Sequence, residues 1–400
     1  MFGKRQFTTV SALTVALLCA LPLIAARPAQ AQTENVLYNF TYGTNTCCYP
    51  RARLTFDSAG NLYGATYYGG TDNAGTVFEL SPNGNGTWSQ TVIYSFTGGA
   101  DGGNPWNPYV VLDSEGNLYG TAANGGKNGY GVAFKLSRNG ESWRETVLYS
   151  FADNGGGVNP FNGLIIGLGA HFYGQAFASP GYPAAGSIFE LRRSGGKWTE
   201  QAIYTSSTGL YSALSKDAAG NIFATGSSTV FELSPNGNGG WNPTVIHTFT
   251  GPPNDGSTPL GRLVHDKAGN LFGTTVEGGA ANLGTVYRLV RRKDGKWTEE
   301  ILYSFGGGQD GSNPFEGLVF GASGNLYGTT TGGGNSGDGT VFELARGGNG
   351  SISETILWSF DGTDGTSPGS SLILDGAGNL YGTTEGGGSS GYGVVFEMTP

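Results

Sequence analysis

The 400-residue chain carries 21 basic and 30 acidic side chains, a net charge of −9, and 13% of its residues are charged. An acidic chain with no Lys/Arg-rich stripe is excluded by charge from binding nucleic acid or anionic lipid. Glycine supplies 73 residues, phased with Val, Leu, Tyr and Phe, which excludes a disordered low-complexity chain and points to short strands joined by tight turns.

Residues 1–31 read as a secretory signal peptide. Lys4 and Arg5 precede an apolar run from Val10 to Ala26, and Ala29-Gln30-Ala31 offers a small-x-small cleavage site after Ala31. An uncleaved membrane anchor is the weaker reading, because the run falls short of the ~20 residues of a bilayer span and Pro22 interrupts it. Cys19 lies inside the run without a lipobox, and no later stretch is apolar enough to span a membrane. The expected location is therefore secreted or periplasmic.

From residue 32 to residue 400 the chain reads as one domain of seven tandem repeats. The tract Gly60–Gly64 (Gly-Asn-Leu-Tyr-Gly) returns at Gly116–Gly120, Gly269–Gly273, Gly324–Gly328 and Gly378–Gly382. Degenerate copies stand at Ala170–Gly174 and Gly220–Ala224, and neighbouring copies are 49 to 56 residues apart. That period is the length of a propeller blade. The first element after the leader, Asn35–Phe40, copies the last strand of the repeat. Cys47 and Cys48 follow, just before Pro50, the only cysteines beyond the leader. A strained vicinal disulfide and two free thiols are both open, and neither makes a metal site, since no Cys or His lies at ligand spacing nearby.

Within each repeat four strand-sized pieces are separated by turn chemistry. The first resembles Gly317–Phe320 or Ser371–Asp375, and Asp375–Gly378 turns the chain with an Asp that can hold its own backbone and a Gly that takes positive φ. The second is Asn379–Thr384, ending near a small residue (Gly64, Gly120, Gly174, Ala224, Gly273, Gly328, Gly382) that suggests close backbone approach. A glycine-rich loop leads to the third, Val394–Met398, where consecutive apolar residues imply a sheet covered on both faces. The fourth resembles Thr355–Phe360 and is entered through a Trp, as at Trp88, Trp143, Trp198, Trp241 and Trp297. The expected architecture is an all-β, seven-bladed propeller of four antiparallel strands per blade, with Velcro closure between Asn35–Phe40 and the last blade. A β-solenoid is the rival, but it needs neither a four-strand period nor split ends.

Candidate functional residues lie in two sets of loops that share one face of such a ring. Between the second and third strands the loops vary: Tyr67 and Tyr68 with Asp72, the longer Ala178–Ala185 with Tyr182, then Glu277 and Glu385. Exposed aromatics beside carboxylates suit sugar binding by stacking and hydrogen bonding, with ordinary surface variation as the plain alternative. Between blades the loops repeat Asp-Gly-x-x-Pro: Asp101 with Pro105, Asp255 with Pro259, Asp310 with Pro314 and Asp364 with Pro368, with Asp153 and Pro160 a looser copy. These carboxylates could hold a hard cation such as Ca²⁺. Their repetition argues equally for Asx-turns that satisfy their own loops. The basic cluster Arg291-Arg292-Lys293 falls in a hairpin turn and reads as solvated surface.

The histidines occupy different repeat positions: His171 in a degenerate hairpin, His247 at the Tyr position of a fourth strand, His265 in a first strand beside Asp266. They are expected not to converge, although His265 can line the channel. No nucleophile elbow, phosphate loop or His-Glu-x-x-His motif is read, and no catalytic residue is assigned.

The combination of Gly-Asn-Leu-Tyr-Gly-Thr-Thr, Gly-Gly, Gly-Thr-Val-Phe-Glu-Leu and Leu-Tyr-Ser-Phe resembles the GloVer tandem-repeat family over about residues 35–400, most clearly at Gly324–Leu344 and Gly378–Met398. The resemblance implies an exported bacterial repeat protein and supplies no catalytic residues. The hairpins are also similar to those of other extracytoplasmic propellers, lactonases and streptogramin lyases among them, but fold analogy assigns no chemistry. The leading expectation is a monomeric, non-enzymatic propeller that binds an extracellular glycan, small molecule or protein through its loop-rich face, without an obligatory cofactor. The alternative is a hydrolase or lyase acting on a carbohydrate or lactone through rim carboxylates, with or without Ca²⁺.

Overall fold

The computed structural model describes residues 32–42 and 49–400, other than 52, 108, 155, 168, 170, 179–184 and 349. The leader, Cys47, Cys48 and Tyr182 lie outside the described residues. Seven four-stranded antiparallel sheets form the blades of a β-propeller, and no described residue is helical. Blade one is Thr55–Phe56, Leu62–Thr66, Thr76–Pro82 and Trp88–Ser95, and blade two Val111–Leu112, Leu118–Ala122, Val132–Asn139 and Ser142–Ser150. Blade three is Val158–Ile166, Phe172–Phe177, Gly186–Ser194 and Lys197–Ser206, and blade four Ser215–Lys216, Ile222–Thr225, Thr229–Pro235 and Trp241–Thr248. Blade five runs Val264–His265, Leu271–Thr275, Thr285–Arg291 and Trp297–Ser304; blade six Val319–Phe320, Leu326–Thr330, Thr340–Arg346 and Ile352–Ser359. Blade seven takes Ile373–Leu374, Leu380–Thr383 and Val394–Thr399 from the chain's end and its outermost strand, Thr33–Asn39, from near the start. Closure therefore falls where the split repeat places it, with Thr33 paired to Thr399 and Asn39 to Val394.

The burial of each strand follows from its rank in the blade. Second strands such as Leu62–Thr66 are buried at every position, because neighbouring blades cover both faces. Outer strands such as Trp297–Ser304 alternate between half-buried and exposed over their first half. The hairpin joining the first two strands explains the Asp-x-x-Gly-Asn signature. Asp57 Oδ1 accepts from the amides of Ala59 (2.8 Å) and Asn61 (2.9 Å), Asn61 Nδ2 donates to Oδ2 (2.8 Å), and Gly60 sits at φ 87°. The same bonds recur around Asp113, Asp266 and Asp375. These repeated carboxylates are structural.

The core is a set of seams between blades. The small residue of each second strand lies under the aromatic of the third: a Cβ on Gly64 would sit 2.5 Å from Phe78, and one on Gly328 2.6 Å from Phe342. At six of the seven seams a phenylalanine after the outer strand then meets the next blade's aromatic edge to face, as in Phe40–Phe78 and Phe305–Phe342. The short first strands of blades one, six and seven line a cavity of about 320 Å³ in the central channel.

Candidate functional site

The loops from each outer strand to the next blade cross the ring from rim to centre, and their two halves do different work. At the rim the aspartate closes its own loop. Asp101 accepts from Tyr94 Oη (3.0 Å) and the Thr97 amide (2.9 Å), and Asp310 from the Gly306 amide (2.6 Å). Asp364 accepts from Trp358 Nε1 (2.8 Å) and the Asp361 amide (2.9 Å). Asp255 accepts from the amide and hydroxyl of Thr250 at 2.7 and 2.9 Å, and from the Gly256 amide at 2.6 Å. These four candidate cation ligands therefore serve separate loops on separate blades.

Beyond the aspartate the chain bends inward. Asn104, Asn159 and Asn313 take left-handed φ of 50°, 49° and 56°, and the following Pro105, Pro160 and Pro314 present the next side chain to the channel. Successive junctions thus place Arg51, Trp106, Phe161, Tyr211, Leu260, Phe315 and Gly369 around one opening. The opening comprises cavities of about 420 and 200 Å³ that share Arg51, Trp106 and Asn107. Nine large hydrophobic side chains are exposed among the described residues, and six of them line this mouth: Tyr49, Tyr68, Trp106, Phe177, Tyr211 and Phe315. Ring contacts run continuously along its wall: Tyr49–Tyr68 (6.1 Å), Tyr67–Tyr68 (4.6 Å), Tyr67–Trp106 (6.0 Å), Trp106–Phe177 (6.1 Å) and Phe161–Phe177 (4.6 Å).

The mouth also carries polar groups drawn from several blades. Asn107 Nδ2 donates to Asn162 Oδ1 at 3.0 Å and to Glu316 Oε1 at 3.2 Å. Ser371 Oγ donates to Glu316 Oε2 at 3.1 Å, and Asn162 Nδ2 to Gln175 Oε1 at 3.2 Å and the Tyr211 carbonyl at 2.7 Å. Burial lifts the Glu316 carboxyl to about 7 despite those donors. Burial and the nearby Arg262 bring Arg53 down to about 10. Arg51 Nη2 reaches Glu385 Oε2 at 2.8 Å across the join of the ring.

Of the candidates read from the sequence, Tyr67, Tyr68 and Glu385 come together at the mouth. Asp72 is exposed and accepts from Thr71 Oγ1 (3.0 Å), and Glu277 accepts from Thr258 Oγ1 (3.2 Å); neither lines the mouth. Trp106 and Phe315, each directly after the proline of a repeated loop, join them at the mouth, as do Tyr211 and Glu316, which no sequence motif marks. The histidines need one correction. His171 pairs with Glu190 (2.7 Å), and His265 packs on Phe223 with Nε2 3.2 Å from Ser215 Oγ. His247, however, does converge on carboxylates, those of Asp255 and Glu299, whose ligand atoms lie with its own within 4.8 Å. Two Gly-x-Ser-x-Gly strings, Gly365–Gly369 and Gly387–Gly391, occupy loops with no following helix, so neither serine stands on a nucleophile elbow.

A further cavity of about 620 Å³ lies at the other end of the strands, between blades five and six. Gly321, which stands where most repeats have the turn aspartate, is part of its lining. Its wall is mainly the ordinary inter-blade core, including Phe272, Phe320, Leu326 and Leu344.

Fold and mouth together define a repeat-built propeller with an aromatic-lined cleft over its channel. The chain belongs to the Gloeobacter/Verrucomicrobia repeat family, whose model matches residues 25–225 and 217–400. No curated protein matches it in sequence. Among solved structures it is similar to virginiamycin B lyase from Staphylococcus aureus (TM-score 0.54, 12% identity, 92% of this chain and 99% of that one). It is also similar to the extracellular domain of a putative hybrid two-component system, BT4673, from B. thetaiotaomicron (TM-score 0.56, 13% identity, 92% of this chain and 42% of that one). A protein from Lactobacillus plantarum gives a TM-score of 0.54 at 12% identity over 85% of this chain and 99% of its own. At such identity the likeness is one of fold alone.

Proposed function

We propose that this propeller is an exported binding protein that captures a glycan at the aromatic mouth of its channel. The observation that carries the reading is the concentration there of six of the nine exposed large hydrophobic side chains. Exposed aromatic area costs solubility, so a contiguous patch over a concave, polar-floored opening marks a binding surface. Flat rings stack on the apolar faces of sugars, while Asn107, Arg51 and Glu385 offer donors and acceptors to hydroxyls. Export is part of the proposal and rests on the leader read in residues 1–31.

The test is calorimetric titration of the chain from residue 32 onward with a panel of neutral and acidic oligosaccharides. A bound glycan should lose about 2 kcal/mol, roughly thirtyfold in affinity, on Trp106→Ala. A panel without binding, or equal affinity in the variant, overturns the reading. A second reading, a carbohydrate-active hydrolase or lyase, is favoured by one observation. Glu316 keeps a carboxyl titrating at about 7 in the same cleft as Glu385, as a general acid requires. Assaying the same panel for cleavage products separates the two.

A further inference from the structure

Every blade presents an aromatic ring at one point of its outermost strand. Six rings are Tyr38, Tyr94, Tyr149, Tyr204, Tyr303 and Trp358; blade four has His247, paired with Val230 as Tyr94 is with Val77. Where the ring is Tyr94 or Trp358, it donates to the aspartate of the following loop at 3.0 or 2.8 Å. His247 does not. Its Nε2 stands 3.9 Å from Asp255 Oδ1, too far for a hydrogen bond, and finds no other partner among the described residues although it is buried.

A third group reaches the same point from the next blade. Glu299, on the outer strand of blade five, turns its carboxyl toward Asp255 and shares a hydrogen bond with it, while its buried Oε1 lacks a partner among the described residues, as it does in Glu34, Glu145, Glu200 and Glu354 of other blades. One nitrogen and two carboxylate oxygens thus lie within 4.8 Å of one another, and the buried His247 Nε2, found on this blade alone, is left without a hydrogen bond among the described residues. The Thr250 and Gly256 amides and the Thr250 hydroxyl hold the Asp255 carboxylate in place, as outer partners orient a ligand.

We propose that His247, Asp255 and Glu299 bind a divalent transition metal of the Zn²⁺ type at the outer seam between blades four and five. Metal bonds of about 2.0–2.2 Å let one cation bridge donors about 4 Å apart, so small side-chain rotations close the site. An imidazole among the ligands selects Zn²⁺ over Ca²⁺, which takes oxygen donors alone. His247 and Asp255 are 18% and 11% exposed at their side chains, which leaves room for water to complete the coordination. The metal ties two blades together and supplies the partner that His247 Nε2 lacks.

The experiment titrates ZnCl₂ into metal-stripped protein, chain from residue 32 onward, by calorimetry and thermal unfolding, with CaCl₂ in parallel. Wild type should bind one Zn²⁺ and melt a few degrees higher, with no response to Ca²⁺ at the same concentration. His247→Tyr restores the ring that five other blades carry, so the variant should fold with the metal-free melting temperature of wild type and lose Zn²⁺ affinity at least tenfold. Glu299→Gln should lose it too. Co²⁺ should give a visible absorption band in wild type that His247→Tyr abolishes. Absence of Zn²⁺ binding by wild type, or equal binding by the His247→Tyr protein, overturns the proposal.

Discussion

The pairing of Gly328 with Phe342 shows how one atom sets the repeat's composition. A Cβ at Gly328 would lie 2.6 Å from the Phe342 ring, and the equivalent glycines of five other blades meet the same obstacle at 2.4 to 2.6 Å. Blade four is the exception that explains the rule. It has Ala224, and Ser206 replaces the phenylalanine that packs at the other seams, so the Phe231 ring tilts to 37° against Tyr204 instead of meeting an edge at 65–71°. A methyl is tolerated there because its neighbour was removed. Gly328→Ala, with Phe305 holding the Phe342 ring in place, should cost about 1–3 kcal/mol by overpacking, read from denaturant unfolding. An unchanged midpoint would show that the ring yields freely. The close approach could be read from the sequence, since a small residue recurs at one strand position. The aromatic it faces could not, and although Trp106 and Phe315 follow the repeated loop proline, their exposure could not either, because it depends on loops from several blades meeting over the channel.

At the scale of the strand, the outer elements carry a row of carboxyls against the neighbouring blade. Glu34, Glu145, Glu200, Glu299 and Glu354 each keep a buried Oε1 with no partner among the described residues. Burial raises Glu145 and Glu354 to about 7, helped by Asp101 and Asp310 of the preceding blades. Burial alone raises Glu200 to about 7, while burial with Asp364 and Asp361 takes Glu34 to about 8. Folded values above the ordinary 4.5 mean that the native state keeps protons the unfolded chain has shed. Stability should therefore be full near pH 4.5 and fall as pH rises through 7, and through 8 for Glu34. The melting temperature should accordingly be higher at pH 5 than at pH 8.5. The triple change Glu145→Gln, Glu200→Gln, Glu354→Gln should flatten much of that fall, leaving what Glu34, Glu299 and Glu316 contribute. An identical slope in the triple variant would refute the assignment. The strand itself is evident from the Trp that opens it at Trp88, Trp143, Trp198, Trp241 and Trp297. The strain on its glutamate is not, because the opposing aspartate sits on another blade.

For the whole molecule, closure rests on one segment. Thr33–Asn39 completes blade seven by pairing with Val394–Thr399, and Phe40 beside it packs against Phe78 of blade one, ring centroids 5.4 Å apart. Elsewhere in the ring the outermost strand is joined to its blade by a turn; here it arrives from the opposite end of the chain. The split repeat makes this visible in the sequence, because a lone fourth-strand copy and an incomplete last repeat have to meet for either to be buried. Without residues 32–42 the edge Val394–Thr399 is left unpaired beside Phe396, and a bare apolar edge invites pairing with other chains. The truncated chain should leave the monomer peak in size-exclusion chromatography for larger species, and the remaining monomer should melt earlier. A synthetic peptide of residues 32–42 added during refolding should restore the monomer by strand addition. If the truncated chain stays monomeric with an unchanged melt, the seam between blades seven and one holds without its strand, and closure must rest on the loops that meet at the channel mouth.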